Sequence, residues 1–405
     1  MASRALVLLA PLLIIGLLLL LLPAGAHAGI TAGRRTSSSV RCQLRQKNEA
    51  TGRINNVRVR SYGASRHGRK LGEKENVVDV TSHGAVGDGQ QDDTPAFQKA
   101  WAAACSSSKP ATLLVPKEKT YVVKQITFAD GNGESWWKNS GRVDKNLKCT
   151  DAPMALLLSK CNQLKVENIN LLNSQQIHMS VEDCKDVLLK RITVTALGDS
   201  PENDGIHIAR TKDIQVIDCN IKTGDDCLSI ETGTENMYAS RITCGPGHGI
   251  SVGSLGDNNS EARVSNVTVY KARLSGTMFG VRIKSWQGGK GYAKEITFED
   301  ITMTNVKNPI IVDQNYCTMA DPLKPKACEK QTSAVEFSNI RFKNIRGTSA
   351  TKEAIKLDCS DTIPCRDILL QDVNLIFKGE KSAATTSICN NVKLKNAVNV
   401  SPKTC

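Results

Sequence analysis

Asp204, Asp226 and His248 follow one another at intervals of 22 residues, and Asp225 adjoins Asp226 inside Gly224-Asp-Asp-Cys227. Further on, Arg282 and Lys284 stand two apart in Gly280-Val-Arg-Ile-Lys284, which on a strand sends both side chains to one face and Ile283 to the other. Singly, such residues are ordinary occupants of turns and solvated strand faces. The shared interval changes their meaning, because in a chain that winds with about that period they form a ladder on one surface. Three carboxylates, an imidazole and two cations in one groove suit hydrolysis of a glycosidic bond in an acidic polysaccharide. One carboxylic acid protonates the leaving oxygen and other carboxylates activate a water, with inversion when acid and base stand roughly 6.5–9.5 Å apart. Crowded like charges help keep one carboxyl protonated. The two cations suit the substrate's own carboxylates.

The elements that must position this set are short and β-rich. From Cys161 onward, aliphatic residues recur at Ile169, Ile192, Ile221, Ile242, Val267, Ile301, Ile345 and Val373, separated by 21 to 44 residues. Gly, Asn and Asp fill the turns between them. Leu164 to Leu171 and Val187 to Val194 alternate well enough to read as single strands with one face inward. A period of this size with strands in each unit predicts an all-β solenoid, a single-stranded right-handed parallel β-helix whose coils stack about 4.8 Å apart. An aromatic content of only 4% fits a core in which aliphatic side chains pack on their own copies. A leucine-rich repeat would show a tighter leucine and asparagine signature. Ahead of the repeats, Asp92 to Ala104 carries Phe97, Ala100, Trp101 and Ala104 at helical spacing behind a capping Asp or Thr and an early Pro, which predicts a short helix capping the open end.

Charge and targeting divide the chain of 405 residues into three. Met1 to Ala28 reads as a secretory signal, with Arg4 ahead of an apolar run and Ala26-His27-Ala28 as the cleavage site. Residues 29–75 hold twelve basic side chains and three acidic ones, without hydrophobic period, and read as a disordered leader or pro-segment. That segment supplies +9 of the formal +13, so residues 76–405, the expected catalytic domain, are nearly balanced and no nucleic-acid partner is expected. After signal removal no membrane association is expected either, since no later segment is long and apolar enough. Fourteen cysteines in a secreted chain argue for disulfides. Cys219 with Cys227, Cys317 with Cys328, Cys359 with Cys365 and Cys389 with Cys405 are the sequence neighbours suited to local pairing. Paired C-x-x-C knuckles and His clusters are lacking, so no metal site is expected. Asn258, Asn266 and Asn399 head glycosylation sequons.

These motifs together resemble those of plant polygalacturonases in glycoside hydrolase family 28. The resemblance runs from about Val77 to the C-terminus. It rests on Ser200-Pro-Glu-Asn-Asp-Gly-Ile-His-Ile208, Thr223-Gly-Asp-Asp-Cys227, Cys244-Gly-Pro-Gly-His-Gly-Ile-Ser-Val-Gly-Ser-Leu-Gly256, Val281-Arg-Ile-Lys284 with Trp286-Gln-Gly-Gly289, and Pro309 to Cys317. It implies a secreted, monomeric endo-acting enzyme of the cell wall that hydrolyses α-1,4 bonds of demethylated homogalacturonan without a cofactor. Asp225 would be the general acid, Asp204 and Asp226 would activate the water, and His248 would support the acid or position the sugar. Arg282, Lys284 and Tyr316 would bind galacturonate. An exo-acting relative, or a wall protein that binds pectin without cutting it, would carry the same residues.

The chain departs from the family pattern in two places. Glu202-Asn203-Asp204 stands where the family reads Asn-Thr-Asp, so Glu202 and Asn203 are expected at the substrate, with Glu202 adding a negative charge there. Ile126-Thr-Phe128 is joined by Ala129 alone to Asp130-Gly-Asn-Gly-Glu-Ser-Trp-Trp137, where family members have more chain, so about two coils are expected to be absent near 128–130. Gly141 occupies a family Cys position, leaving Cys149, Cys105 and Cys42 without evident partners.

Overall fold

The repeating units bend at residues with left-handed backbone, and one such column runs along the coils. Asn168, Arg191, Asp218, Arg241, Lys271, Asp300, Asn344 and Asp372 all have φ between 47° and 58°. Each immediately precedes a buried residue, in order Ile169, Ile192, Cys219, Ile242, Ala272, Ile301, Ile345 and Val373. Asn and Asp tolerate this conformation best, which is why they dominate the column. The bend also corrects the expectation of single strands over Leu164 to Leu171 and Val187 to Val194. Asn168 divides the first into Asn162–Glu167 and Ile169–Leu172, and Arg191 divides the second into Lys185–Lys190 and Thr193–Thr195. Polar side chains join the column from coil to coil: Asn344 Nδ2 donates to Asp300 Oδ1 at 2.6 Å and Asn399 Nδ2 to Asp372 Oδ1 at 2.9 Å.

In this computed structural model the described residues are 57–60 and 76–404, apart from 107–110, 117–118, 123–125, 129–132, 138–151, 153, 318–329 and 380–384. The expected signal, most of the expected leader, and Cys42, Gly141, Cys149, Cys328 and Cys405 lie outside them. Two large sheets, of 12 and 15 strands, enclose the core, and neighbouring strands run parallel through both, as in a parallel β-helix. Inward residues stack on their equivalents. Leu164, Val187, Ile214, Met237, Val267, Ile296, Ile340 and Ile368 form one column, and Leu171, Val194, Ile221, Cys244, Leu274 and Met303 another. Ile221 and Val267 therefore belong to two columns rather than to that of Ile169, because corners of differing length shift the apparent period.

Seven strands of the 12-stranded sheet concern the site. They are β1 (Met179–Glu182), β2 (Ile206–Ala209), β3 (Leu228–Ile230), β4 (Ile250–Leu255), β5 (Phe279–Trp286), β6 (Asn308–Tyr316) and β7 (Glu353–Asp358), adjacent in that order. Ile206, Leu228, Ile250, Val281, Ile310 and Ile355 are in register. The first two steps are 22 residues each, the interval that relates Asp204, Asp226 and His248. Ser180, His207, Ser229, Ser251, Arg282, Ile311 and Lys356 form the next outward row.

The expected cap is α1 (Thr94–Ser106), which buries Phe97, Ala100 and Ala104 against the core. Asp93 opens it by accepting the Phe97 N–H on its carbonyl, while its carboxylate accepts N–H bonds from Val86 and Gly87. Near the expected deletion, Ile126–Phe128 pairs directly with Ile169–Leu172. In the other sheet Val57–Arg60 lies between Ala111–Leu114 and Leu156–Ser159. Four residues of the expected disordered leader thus form a strand, at the junction where chain is short.

Disulfides join Cys227 to Cys244 and Cys359 to Cys365. The second was expected. The first replaces the expected Cys219–Cys227 pair, because Cys219 is a buried free thiol in the Ile169 column whereas Cys244 is in register with Ile221, beside Cys227. Cys317 and Cys389 are also disulfide-bonded, and their expected partners lie outside the described residues. Among the described residues no helix is long and apolar enough to cross a membrane.

One pair of aromatic rings stacks in the core. Phe298 and Phe342 stack at 5.5 Å on adjacent coils, both fully buried. Phe342→Ala is expected to cost about 3–5 kcal/mol of unfolding free energy, read as a lowered denaturation midpoint with unchanged slope.

Candidate active site

The turns that precede β2, β3 and β4 bring Asp204, Asp225, Asp226 and His248 together. Close backbone approach makes this possible. A Cβ on Gly224 would lie 2.0 Å from Ser200 O, and one on Gly249, whose φ is +85°, would lie 2.3 Å from the carbonyls of Phe279 and Gly280. Glycine is therefore required on either side of the constellation.

Asp226 is its most enclosed member, 2% exposed. Its Oδ1 accepts hydrogen bonds from Ser251 Oγ at 2.6 Å and Arg282 Nη2 at 2.8 Å, and its Oδ2 accepts from Lys284 Nζ at 3.1 Å. Arg282 Nε also donates to Ser251 Oγ at 3.0 Å. Arg282 and Lys284 were expected to hold substrate carboxylates, yet both are largely buried and already engaged with Asp226. Arg282 lies over the Phe279 ring at 3.9 Å and Lys284 over the Tyr316 ring at 5.3 Å, which sets Tyr316 in the same cluster. Burial would lower the Lys284 ammonium, but the Asp226 charge outweighs it and the group titrates above its ordinary value.

The other carboxyls titrate in opposite directions. Burial pushes Asp225 up, but the His248 Nδ1 contact at 2.8 Å, together with the charges of His248, Lys284 and Arg282, brings it below the usual carboxylate range. Burial raises Asp204, and repulsion by Asp225 and Asp226 adds to it, against a lowering contact from His207 Nδ1 at 3.4 Å. Asp204 is thus held above the usual carboxylate range, opposite in direction to Asp225. The Asp226 N–H ties the two together, donating to Asp204 Oδ1 at 3.2 Å and to Asp225 Oδ1 at 2.8 Å.

Asp225, Asp226 and His248 offer ligand atoms within 4.8 Å of one another, the spacing a cation needs. The two protein cations on Asp226 argue against one, since a divalent ion there would face Arg282 and Lys284 directly. The arrangement instead suits proton transfer and the ordering of a water beside a carboxylate-bearing ligand.

Asn203 corrects the expectation of a substrate contact. Its side chain is fully buried, with Nδ2 donating to Ser174 O and Gln176 O, each at 2.7 Å, and Oδ1 accepting from Ser200 Oγ at 3.0 Å. It holds the turn that carries Asp204. Glu202, half-buried with φ 51°, occupies the left-handed position of that turn.

Several residues of the site escaped the sequence reading. His207, Ser229 and Ser251 share the 22-residue interval, each three positions after a member of the ladder Asp204, Asp226 and His248, so extending the ladder by one row would have found them. Phe279, which meets His248 edge to face at 5.6 Å, stands on the coil after His248, where the interval changes to 31. His178 lies beneath Asp204, fully buried, with Nδ1 3.0 Å from Asp204 O and Nε2 accepting the Ser174 N–H at 3.3 Å. Those contacts fit a neutral ring protonated on Nδ1.

Burial brings the His178 pKa down to about 4. A depressed histidine contributes stability that is complete above its unfolded pKa of 6.5 and is lost as pH falls through the folded value. The free-energy gap between wild type and His178→Gln should therefore shrink, by on the order of 3 kcal/mol, as pH drops from about 6.5 to about 4. Denaturant titrations across that range measure it.

A family model described as glycosyl hydrolases family 28 matches residues 80–402. Polygalacturonase-2 of Solanum lycopersicum is 43% identical over 373 residues, covering 80% of each chain. Polygalacturonase QRT2 of Arabidopsis thaliana is 43% identical over 390 residues, covering 84% of this chain and 87% of that one. Among solved structures, a polygalacturonase from Erwinia carotovora ssp. carotovora aligns with a TM-score of 0.56 at 21% identity, over 82% of this chain and all of the other. An endo-xylogalacturonan hydrolase from Aspergillus tubingensis aligns with a TM-score of 0.57 at 18% identity, over 80% and 99% of the two chains. These last two likenesses concern the fold.

Proposed function

The chain belongs to glycosyl hydrolases family 28, and from that premise we propose that it is a secreted, monomeric endo-polygalacturonase that cuts α-1,4-galacturonosyl bonds of demethylated pectin with inversion. Membership makes it a pectin-degrading glycoside hydrolase. The observation that carries the finer reading is the Asp225–His248 pair set beside Asp226, which is itself clamped by Arg282 and Lys284. Acid, base and cations within one groove are what hydrolysis of a polyanionic sugar chain requires.

In this mechanism Asp225 protonates the leaving glycosidic oxygen. Its low titration in the free protein is reversed by substrate, because expelled water and an arriving galacturonate carboxylate both favour the neutral acid. Asp204 and Asp226 order the water that attacks from the opposite face, and Asp226 takes its proton. Arg282 and Lys284 hold Asp226 in place and turn the remainder of their charge to the substrate carboxylate, with Tyr316 lining the same position. No step calls on a cofactor, a nucleic acid or a membrane.

Asp225→Asn should lower kcat on polygalacturonate by on the order of a thousandfold with little change in melting temperature, and a near-normal rate would remove Asp225 as the acid. EDTA should leave the wild-type rate unaffected. Rapid loss of viscosity relative to reducing-end release marks internal cutting, whereas release of monomer alone marks an exo enzyme. Retention on pectin with no reducing-end release would convert the reading to a binding protein. Asp225 and Asp226 offer oxygens within 4.8 Å of each other, closer than the roughly 6.5–9.5 Å usual for inverting pairs, so inversion rests on the anomer first formed, read by proton NMR.

Glu202→Asn tests the family departure. Asn is at ease in the left-handed conformation, so stability should rise by up to about 1 kcal/mol. If Glu202 faces the groove, removing its charge should also lower KM for polygalacturonate. An unchanged KM puts the residue outside the groove.

A further inference from the structure

The substrate face carries a further ionisable residue that the mechanism leaves unused. Glu231 directly follows β3, and its N–H donates to Ile208 O at 2.8 Å, so it continues the pairing with β2. Leu228 and Ile230 are buried in the core, and strand alternation therefore turns Ser229 and Glu231 outward, onto the face that carries the catalytic groups. Ser229 Oγ lies 3.4 Å from Glu231 Oε1. The charged groups that act on Glu231 are His207 and Asp204 from the preceding coil, Asp226 from its own coil, and Lys284 from β5. Lys284 pairs with Asp226, and His207 faces Asp204 and Glu231. His207 in turn also feels Glu182 from β1.

We propose that Glu231 is a specificity-determining residue that makes the groove, on the His207 side of the catalytic carboxylates, accept a methyl-esterified galacturonosyl unit in preference to a free acid. The inference rests on the galacturonan reading above and refines its substrate class. A galacturonosyl unit and its methyl ester share one skeleton and differ by one charge, so a single well-placed carboxylate can separate them by repulsion alone. The groove then has two electrostatic halves. Around Arg282 and Lys284 a free carboxylate is attracted, and around Glu231 it meets Asp204, Asp226 and Glu231 together.

The discrimination follows the ionisation of Glu231. Burial, opposed by His207 and Lys284 and supported by Asp204 and Asp226, pushes its pKa up to about 7. Below that value the side chain is a neutral acid that hydrogen-bonds to an ester or a carboxylate alike. Above it the side chain is an anion that rejects the carboxylate.

The test compares wild type with Glu231→Gln, which keeps shape and removes charge, on polygalacturonate and on a partly methyl-esterified homogalacturonan. At about pH 7.5 the variant should lower KM for polygalacturonate roughly fivefold, the size of one like-charge contact in water, with kcat within about twofold and KM for the ester unchanged. At about pH 5, where Glu231 holds its proton in the wild type, the two proteins should agree. Glu231→Ala should behave as Glu231→Gln does, which guards against an effect of the amide itself. Equal shifts in KM on both substrates, or no shift on either at the higher pH, would overturn the proposal. If neither protein releases reducing ends at the lower pH, the hydrolase reading has failed. Calorimetric binding of the same two polymers at the higher pH then decides the specificity claim, with tighter binding of polygalacturonate by the variant supporting it and equal binding overturning it.

Discussion

Register between coils is the constraint on which the rest of this structure depends. In a parallel stack each strand must offer its neighbour a complete row of donors and acceptors, and each inward side chain must meet its equivalent above and below. A coil may lengthen only at its corners, outside the paired strands. That is why Asp204, Asp226 and His248 keep an interval of 22 while the segment between β6 and β7 is far longer, and Ile310 still meets Ile355. The active groups are rigid because they stand at the ends of strands whose inward neighbours cannot move. Asp225 and Asp226 are further anchored by the Cys227–Cys244 disulfide, which begins one residue later.

The same register explains how charges can be buried on the substrate face. Asp226 would be costly to bury alone, and two cations and a hydroxyl, delivered from two later coils, satisfy it. Arg282 and Lys284 leave the strand on one side at a spacing of two, and their bonds to Asp226 and Ser251 hold both side chains there. A cluster fixed in this manner loses little entropy when substrate arrives. Under the proposed mechanism the cations would be shared between Asp226 and an incoming carboxylate, which would link substrate binding to the electrostatics of Asp226.

Much of this was legible in the sequence, for definable reasons. The ladder of Asp204, Asp226 and His248 was readable because the two coils that relate them have equal length. The capping helix was readable from the local spacing of Phe97, Ala100 and Ala104. What was not readable depended on corners of unequal length. Ile221 and Val267 fell into the wrong column, Cys227 found Cys244 instead of its sequence neighbour Cys219, and Phe279 was missed because it follows His248 by 31 residues. Asn203 was misassigned for a different reason. Its position beside Asp204 suggested a shared role, but in a tight turn adjacent side chains diverge, and Asn203 spends its amide on the backbone carbonyls of Ser174 and Gln176.

The distribution of protons across the groove follows from geometry as well. Asp225 sits against His248 and near both cations, which lowers its titration; Asp204 sits against two other carboxylates, which together with burial raises its own. An acid catalyst that is ionised when the groove is empty can act only if substrate restores its proton. A polyanionic chain does this by its own charge, whereas a neutral polysaccharide of the same shape would not. Under the proposed mechanism, selection for galacturonate would be exercised twice, first by the attraction of Arg282 and Lys284 and again by the protonation that its carboxylate induces on Asp225. A site of this kind needs no closing lid to discriminate, because the substrate's charge completes the catalytic set.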